Sequence, residues 1–165
     1  MRKGMACGLV ALSFGFLFVG SVALGQAHGK TENAFAGTWK GSAQNKPPED
    51  SPTKEQTIIV AVEGDTVTVT FLDTLKDGKV VTSKISAPAA GGRITSIDPP
   101  AEAGSTSMVK KIDDRTNLLT TKMNGKLVLT QRATVSPDHK TMTVQESGVD
   151  PKSGAFKYKL VYDRQ

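Results

Sequence analysis

From Phe35 onward, apolar and polar residues alternate with a period of two, in short runs separated by Gly, Asp, Asn, Ser and Pro. The segment Thr66 to Phe71 reads Thr-Val-Thr-Val-Thr-Phe and places Val67, Val69 and Phe71 on one face with three threonines on the other. Branched side chains on a two-residue period are the mark of a half-buried strand. Gln56 to Glu63 behaves the same way, with Ile58, Val60 and Val62 sharing a face, and near the end Phe156, Tyr158, Leu160 and Tyr162 alternate with Lys157, Lys159, Val161 and Asp163. Between these lie strand-like runs over Phe35 to Ala43, Lys79 to Ile85, Thr106 to Ile112, Arg115 to Met123, Lys126 to Val135 and Thr141 to Glu146.

The punctuation supports hairpins. Gly64-Asp65, Asp77-Gly78, Asp113-Asp114, Asn124-Gly125 and Ser136 to His139 each separate two runs, and Gly148 to Gly154 makes a looser turn. Asn-Gly is the clearest of these, because both residues tolerate the positive φ of a two-residue hairpin loop. Gln44 to Lys54 contains Pro47-Pro48 and Pro52, which excludes a helix and predicts a loop over a barrel mouth. Ala87 to Ala103, with Pro88, Gly91-Gly92 and Pro99-Pro100, is expected to be irregular around one short strand, Arg93 to Ile97. About ten short strands and no helix-period segment past the N-terminal region predict an all-β, single up-and-down antiparallel β-barrel of about 8–10 strands. Closure of that sheet leaves no open edge.

Composition sets the context. Met1 to Lys3 is basic, Ala6 to Leu24 is apolar or small throughout, and polar His28 to Glu32 follows at once. That order reads as a signal peptide over residues 1–27, cleaved after Ala27 or Gly25, ahead of a barrel domain over 28–165. The expected location is therefore the periplasm or the medium, with no stable membrane anchor after cleavage. Cys7, the single cysteine, would leave with the leader, so the barrel must be held by its packed core rather than by disulfides. Two of the 21 Lys and Arg, Arg2 and Lys3, leave as well, so 19 face 16 Asp and Glu, a net of +3. These charges are interspersed and form no basic stripe with interleaved aromatics, which argues against a nucleic-acid partner.

Little in the chain points to catalysis. There is no Gly-x-Ser-x-Gly elbow and no phosphate-cradling Gly loop, and a cysteine nucleophile or cysteine-bound metal would be absent after cleavage. Asp113 and Asp114 sit in a tight turn, where carboxylates ordinarily bond the local backbone; Arg115 is expected to pair with one of them at the surface. His139, between Asp138 and Lys140 in a turn, reads as solvated rather than as a metal ligand. No metal site and no cofactor is expected, and the chain reads as a non-enzyme.

The stretch Phe35-Ala36-Gly37-Thr38-Trp39-Lys40 resembles the opening strand of calycin barrels: lipocalins, fatty-acid-binding proteins and avidins begin on Gly-x-Trp. Lys111-Ile112-Asp113-Asp114-Arg115-Thr116, Asn124-Gly125-Lys126-Leu127-Val128 and Lys140-Thr141-Met142-Thr143-Val144 are similar to small secreted bacterial proteins described as lipocalin-like. The resemblance implies a fold and no particular ligand. It also implies that Trp39 plugs one end of the barrel beneath a late arginine, Arg164 or Arg132, partly by cation–π attraction. Tyr162-Asp163-Arg164 resembles the closing strand of the fatty-acid binders. Their carboxylate clamp, Arg-x-Tyr, is Leu160-Val161-Tyr162 here, so the tyrosine is kept and the arginine lost. Their two lid helices have no counterpart in the Pro-rich Gln44 to Lys54 segment.

Three functions are compatible with these readings. The first is an exported binding protein whose small, mainly apolar ligand is lined by Ile58, Val60, Val67, Val69, Phe71, Tyr158, Leu160 and Tyr162, the tyrosines either orienting it or filling the interior. The second is a non-catalytic envelope or interaction protein with a packed barrel and functional loops, its protein partner unidentified; three of the six Phe lie in the leader, which favours a closed interior. The third is a haem-binding barrel using His139, since some haem-binding barrels also begin on Gly-Thr-Trp.

Overall fold

In the computed structural model, residues 33–42, 52–150 and 154–165 are described. The leader, most of the Pro-rich segment and the tip of the last turn lie outside them. Ten strands follow one another: β1 (Gly37–Gly41), β2 (Thr53–Glu63), β3 (Thr66–Leu75), β4 (Val80–Pro88), β5 (Gly91–Asp98), β6 (Ser105–Asp113), β7 (Thr116–Met123), β8 (Lys126–Val135), β9 (Thr141–Asp150) and β10 (Gly154–Arg164). Each pairs antiparallel with its sequence neighbours, and β1 joins β10 to close an up-and-down barrel. The all-β barrel expected from the alternation is the fold observed, and it is compatible with a calycin-like architecture.

The alternation sets the register. Ile58, Val60, Val67, Val69 and Phe71 face inward, with Ile58 opposite Phe71 and Val60 opposite Val69. A one-residue slip would turn this whole set to solvent. Outward positions carry Lys84, Lys110, Lys157 and Lys159, all exposed. The Asn124-Gly125 turn has φ values of 49° and 81°, the doubly positive pair that a two-residue hairpin loop requires.

Several boundaries differ from expectation. β2 starts at Thr53, in the segment read as loop, and absorbs the irregularity as a register shift between Thr53 and Glu55. β9 continues past Glu146 to Asp150, because β10 is long enough to pair with it throughout. The region 87–103 is more ordered than its Gly and Pro content suggests. β4 runs through Pro88, Ala89 and Ala90 turn, and Gly91 opens β5. Gly91 passes so close to β6 that a Cβ there would lie 2.9 Å from the Val109 carbonyl oxygen. The glycine that resembled a breaker is what lets the two backbones meet.

β5 also changes partners along its length. Gly91 to Ile94 pair with Lys110 to Ser107 on β6, whereas Thr95, Ser96 and Asp98 pair with Ser86, Ile85 and Lys84 on β4. The wall is therefore thinly hydrogen-bonded here on both sides. At the opposite side of the barrel, β9 and β10 pair without interruption from Thr141 and Asp163 to Asp150 and Gly154.

Candidate functional site

The end of the barrel beneath Trp39 is closed by side chains holding main chain. Trp39 is fully buried, and its indole Nε1 donates to the Phe35 carbonyl at 2.8 Å. Arg164 lies over the indole, its guanidinium carbon 4.2 Å from the ring centroid. Its Nη2 donates to the Ala34 carbonyl and its Nη1 to the Ala36 carbonyl, each at 2.6 Å, while Nε reaches the His139 carbonyl, also at 2.6 Å. Three consecutive carbonyls, 34 to 36, are thus held by two side chains from opposite ends of the described chain. Asn33 starts this turn by accepting the Phe35 N–H on its side chain at 3.0 Å. Gly37, at φ 123°, leaves room for the guanidinium: a Cβ there would sit 2.9 Å from Nη1. Arg132 faces outward and is exposed, since its neighbours Gln131 and Ala133 point into the barrel. Of the two arginines considered for this position, Arg164 occupies it.

Above this floor lies a cavity of about 300 Å³. Its wall includes Ile58, Val60, Val67, Val69, Phe71, Leu160 and Tyr162, seven of the eight residues singled out from the alternation. Tyr158 is not part of that wall; it stacks on Phe156, with ring centroids 5.0 Å apart. Phe156 in turn covers Gly148, where a Cβ would come within 2.7 Å of the ring and 2.3 Å of the Val128 carbonyl. Val62, in phase with Ile58 and Val60, is 36% exposed, close to the end of β2.

The wall also carries polar residues that the apolar pattern did not bring forward: Gln56, Asn117, Gln131 and Glu146. Two are joined across strands to carboxylates. Gln131 on β8 is opposite Glu146 on β9 and donates its Nε2 to Glu146 Oε2 at 2.6 Å. Gln56 on β2 is opposite Asp73 on β3 and donates to its Oδ1 at 2.8 Å. Tyr162 Oη donates to Gln56 Oε1 at 2.6 Å, which links β10 to β2 across β1. That reach is permitted by Gly41, which pairs with Tyr162 and leaves the inner face of β1 bare there. Tyr162 is only 3% exposed; burial, and then the negative charges of Glu146 and Asp73, push its phenol well above the ordinary tyrosine range.

The turns hold less chemistry. Asp113 accepts the Arg115 N–H at 2.8 Å, and this bond holds its carboxyl below the ordinary aspartate range. The ion pair in that turn is Lys111 with Asp114 at 2.7 Å, rather than the pairing through Arg115 that sequence suggests. The i,i+3 spacing across the bulge at Lys111 to Asp113 brings the lysine round. His139 is exposed, at φ 58°, and it is its carbonyl rather than its imidazole that contributes to the barrel floor. Among the described residues no group of three His, Cys, Asp or Glu is placed to hold a metal ion.

No protein-family model matches the chain, and no curated protein sequence does.

Proposed function

We propose that this chain is an exported, non-catalytic binding protein with a lipocalin-like barrel, working in the periplasm or the medium, that holds one small, mainly apolar molecule in its interior. The observation that carries this reading is the cavity itself, enclosed by Ile58, Val60, Val69, Phe71, Val144 and Leu160 and floored by the Trp39–Arg164 closure. A well-packed interior has few voids larger than a water molecule, and an apolar hollow of about 300 Å³ is a large departure from that. Apolar walls with a few polar groups at one side suit a ligand site, in which burial supplies affinity and the polar groups orientation. The leader-like N-terminus and the resemblance of the Gly-Thr-Trp strand to lipocalins support the location and the class.

The volume also favours a second reading, because it falls at the small end of ligand sites. An envelope or interaction protein with a partly hollow barrel and functional loops would have the same wall. Native mass spectrometry of protein purified from its own compartment separates the two. The carrier reading expects a co-purifying molecule of a few hundred daltons at most, lost in Leu160→Trp while the circular dichroism spectrum stays that of a barrel. Protein that carries nothing and binds no apolar probe would leave the scaffold reading.

A further inference from the structure

The cavity wall is one-sided in charge. Among the described residues that line it there is no Lys, Arg or His, and there is one carboxylate, Glu146. The ion pairs among the described residues join Lys40 to Glu55, Lys79 to Asp77 and Lys111 to Asp114, so none of them neutralises Glu146 or Asp73. The hydrogen bonds run the same way. Gln131 turns an amide N–H toward Glu146, Tyr162 gives its hydroxyl proton to Gln56, and Gln56 turns an N–H toward Asp73. The amides of Asn117, Gln56 and Gln131 still have neutral N–H groups to offer a guest, but the one formal charge on the cavity wall among the described residues is the negative charge of Glu146. Burial is the main cause of the raised Tyr162 phenol, and the charges of Glu146 and Asp73 add to it.

A carboxylate in this cavity would meet repulsion and no cation. A neutral hydroxyl could donate one hydrogen bond. An ammonium could donate up to three and would also be attracted by the charge, and charge-assisted bonds are roughly twice as strong as neutral ones. At ordinary interior packing density the cavity has room for roughly a dozen non-hydrogen atoms. We propose that the ligand is a slender amphiphilic amine, its hydrocarbon along Ile58, Val144 and Leu160 and its ammonium against Glu146 and Gln131. This rests on the carrier reading above and names the class of cargo.

The test is isothermal titration of the purified full chain with three probes of one tail length: n-decylamine, n-decanol and n-decanoate. The amine and the carboxylate are kept below their micelle concentrations and the alcohol below its solubility limit. Decylamine should bind at least about tenfold tighter than decanol, the equivalent of one charge-assisted bond over a neutral one, with decanoate weakest. Glu146→Gln should weaken the amine by about tenfold or more, to the affinity of the alcohol, and should weaken decanol less, because the apolar contacts and a neutral acceptor remain. Decanoate or decanol binding as tightly as decylamine would overturn the amine assignment and leave the carrier reading standing, as would an unchanged amine affinity in Glu146→Gln. Heat of binding from none of the three at either of two well-separated temperatures, on protein whose circular dichroism shows an intact barrel, would sink both.

Discussion

The corner where β10, β1 and β2 meet and the wall formed by β4, β5 and β6 are built by opposite means. At the corner, large side chains close over one another: Trp39 is sealed by Arg164, flanked by Ile58 and Met142, and tied to the main chain by four hydrogen bonds through two side chains. At the wall small residues stand among the branched ones. Ser86, Ala87, Ala89, Gly91 and Ile94 line the cavity there, and β5 divides its ladder between two neighbours. Val80, Val81 and Ile97 on β4 and β5 are all more than 45% exposed. A barrel with a hollow interior needs both, one region to fix the shape and another to leave space. The volume spared by small residues on one side is the cavity that the bulky corner closes from below.

Truncating each side should break the symmetry of that statement. Trp39→Ala is expected to cost about 3–5 kcal/mol in denaturant unfolding, because a fully buried indole is replaced by a void. Ile94→Ala, in the loose wall and beside existing empty space, should cost about 1–2 kcal/mol, below the usual core range. Equal losses at the two positions would mean that the wall is packed as firmly as the corner. Arg164→Gln comes next. It removes three charge-assisted bonds to carbonyls and the cation–π contact, and should lower stability by at least about 2–3 kcal/mol. Arg164→Lys should recover less than half of this, since a lysine cannot hold Ala34, Ala36 and His139 at once from one planar fork. Full recovery by lysine would show that charge alone closes the floor.

The fold was legible because its signal is local. Alternation through Thr66–Phe71 and Phe156–Tyr162, with Asn124-Gly125 between strands, specifies faces and hairpins without reference to distant residues. Most of the apolar cavity wall followed from the same period. What the apolar pattern hid were the polar members, although they keep phase: Gln56 precedes Ile58 by two, Asn117 precedes Leu119 by two, Gln131 precedes Ala133 by two and Glu146 follows Val144 by two. A polar residue continuing an inward series is the signal that could have found them. Tyr158 breaks the converse inference, since it keeps the phase of Leu160 and Tyr162 yet stacks on Phe156 rather than lining the cavity. The division of β5 between β4 and β6 had no local signature, because register between strands is settled by tertiary pairing. The choice between Arg132 and Arg164 rested on phase as well: Arg132 falls on the outward step of β8, between two inward residues.

The smallest expected effect concerns Tyr162, where the corner meets the polar side of the cavity. Its phenol is buried, and the nearby carboxylates oppose its ionisation, so its folded value lies above the value of about 10 that an unfolded chain would show. Below pH 10 both states keep the proton and the group does not bias folding with pH. Above pH 10 the unfolded chain releases it first, so stability falls as pH rises toward the folded value, by at most about 1.4 kcal/mol per pH unit from this group. Lysines titrate in the same range, so the comparison must be with Tyr162→Phe. That variant gives up the bond to Gln56, worth about 1 kcal/mol at neutral pH, and should show a shallower decline in urea-unfolding free energy between pH 10 and 11. Parallel declines for the two proteins would mean that Tyr162 ionises freely in the folded barrel, and that the field attributed to Glu146 and Asp73 is not felt at its hydroxyl.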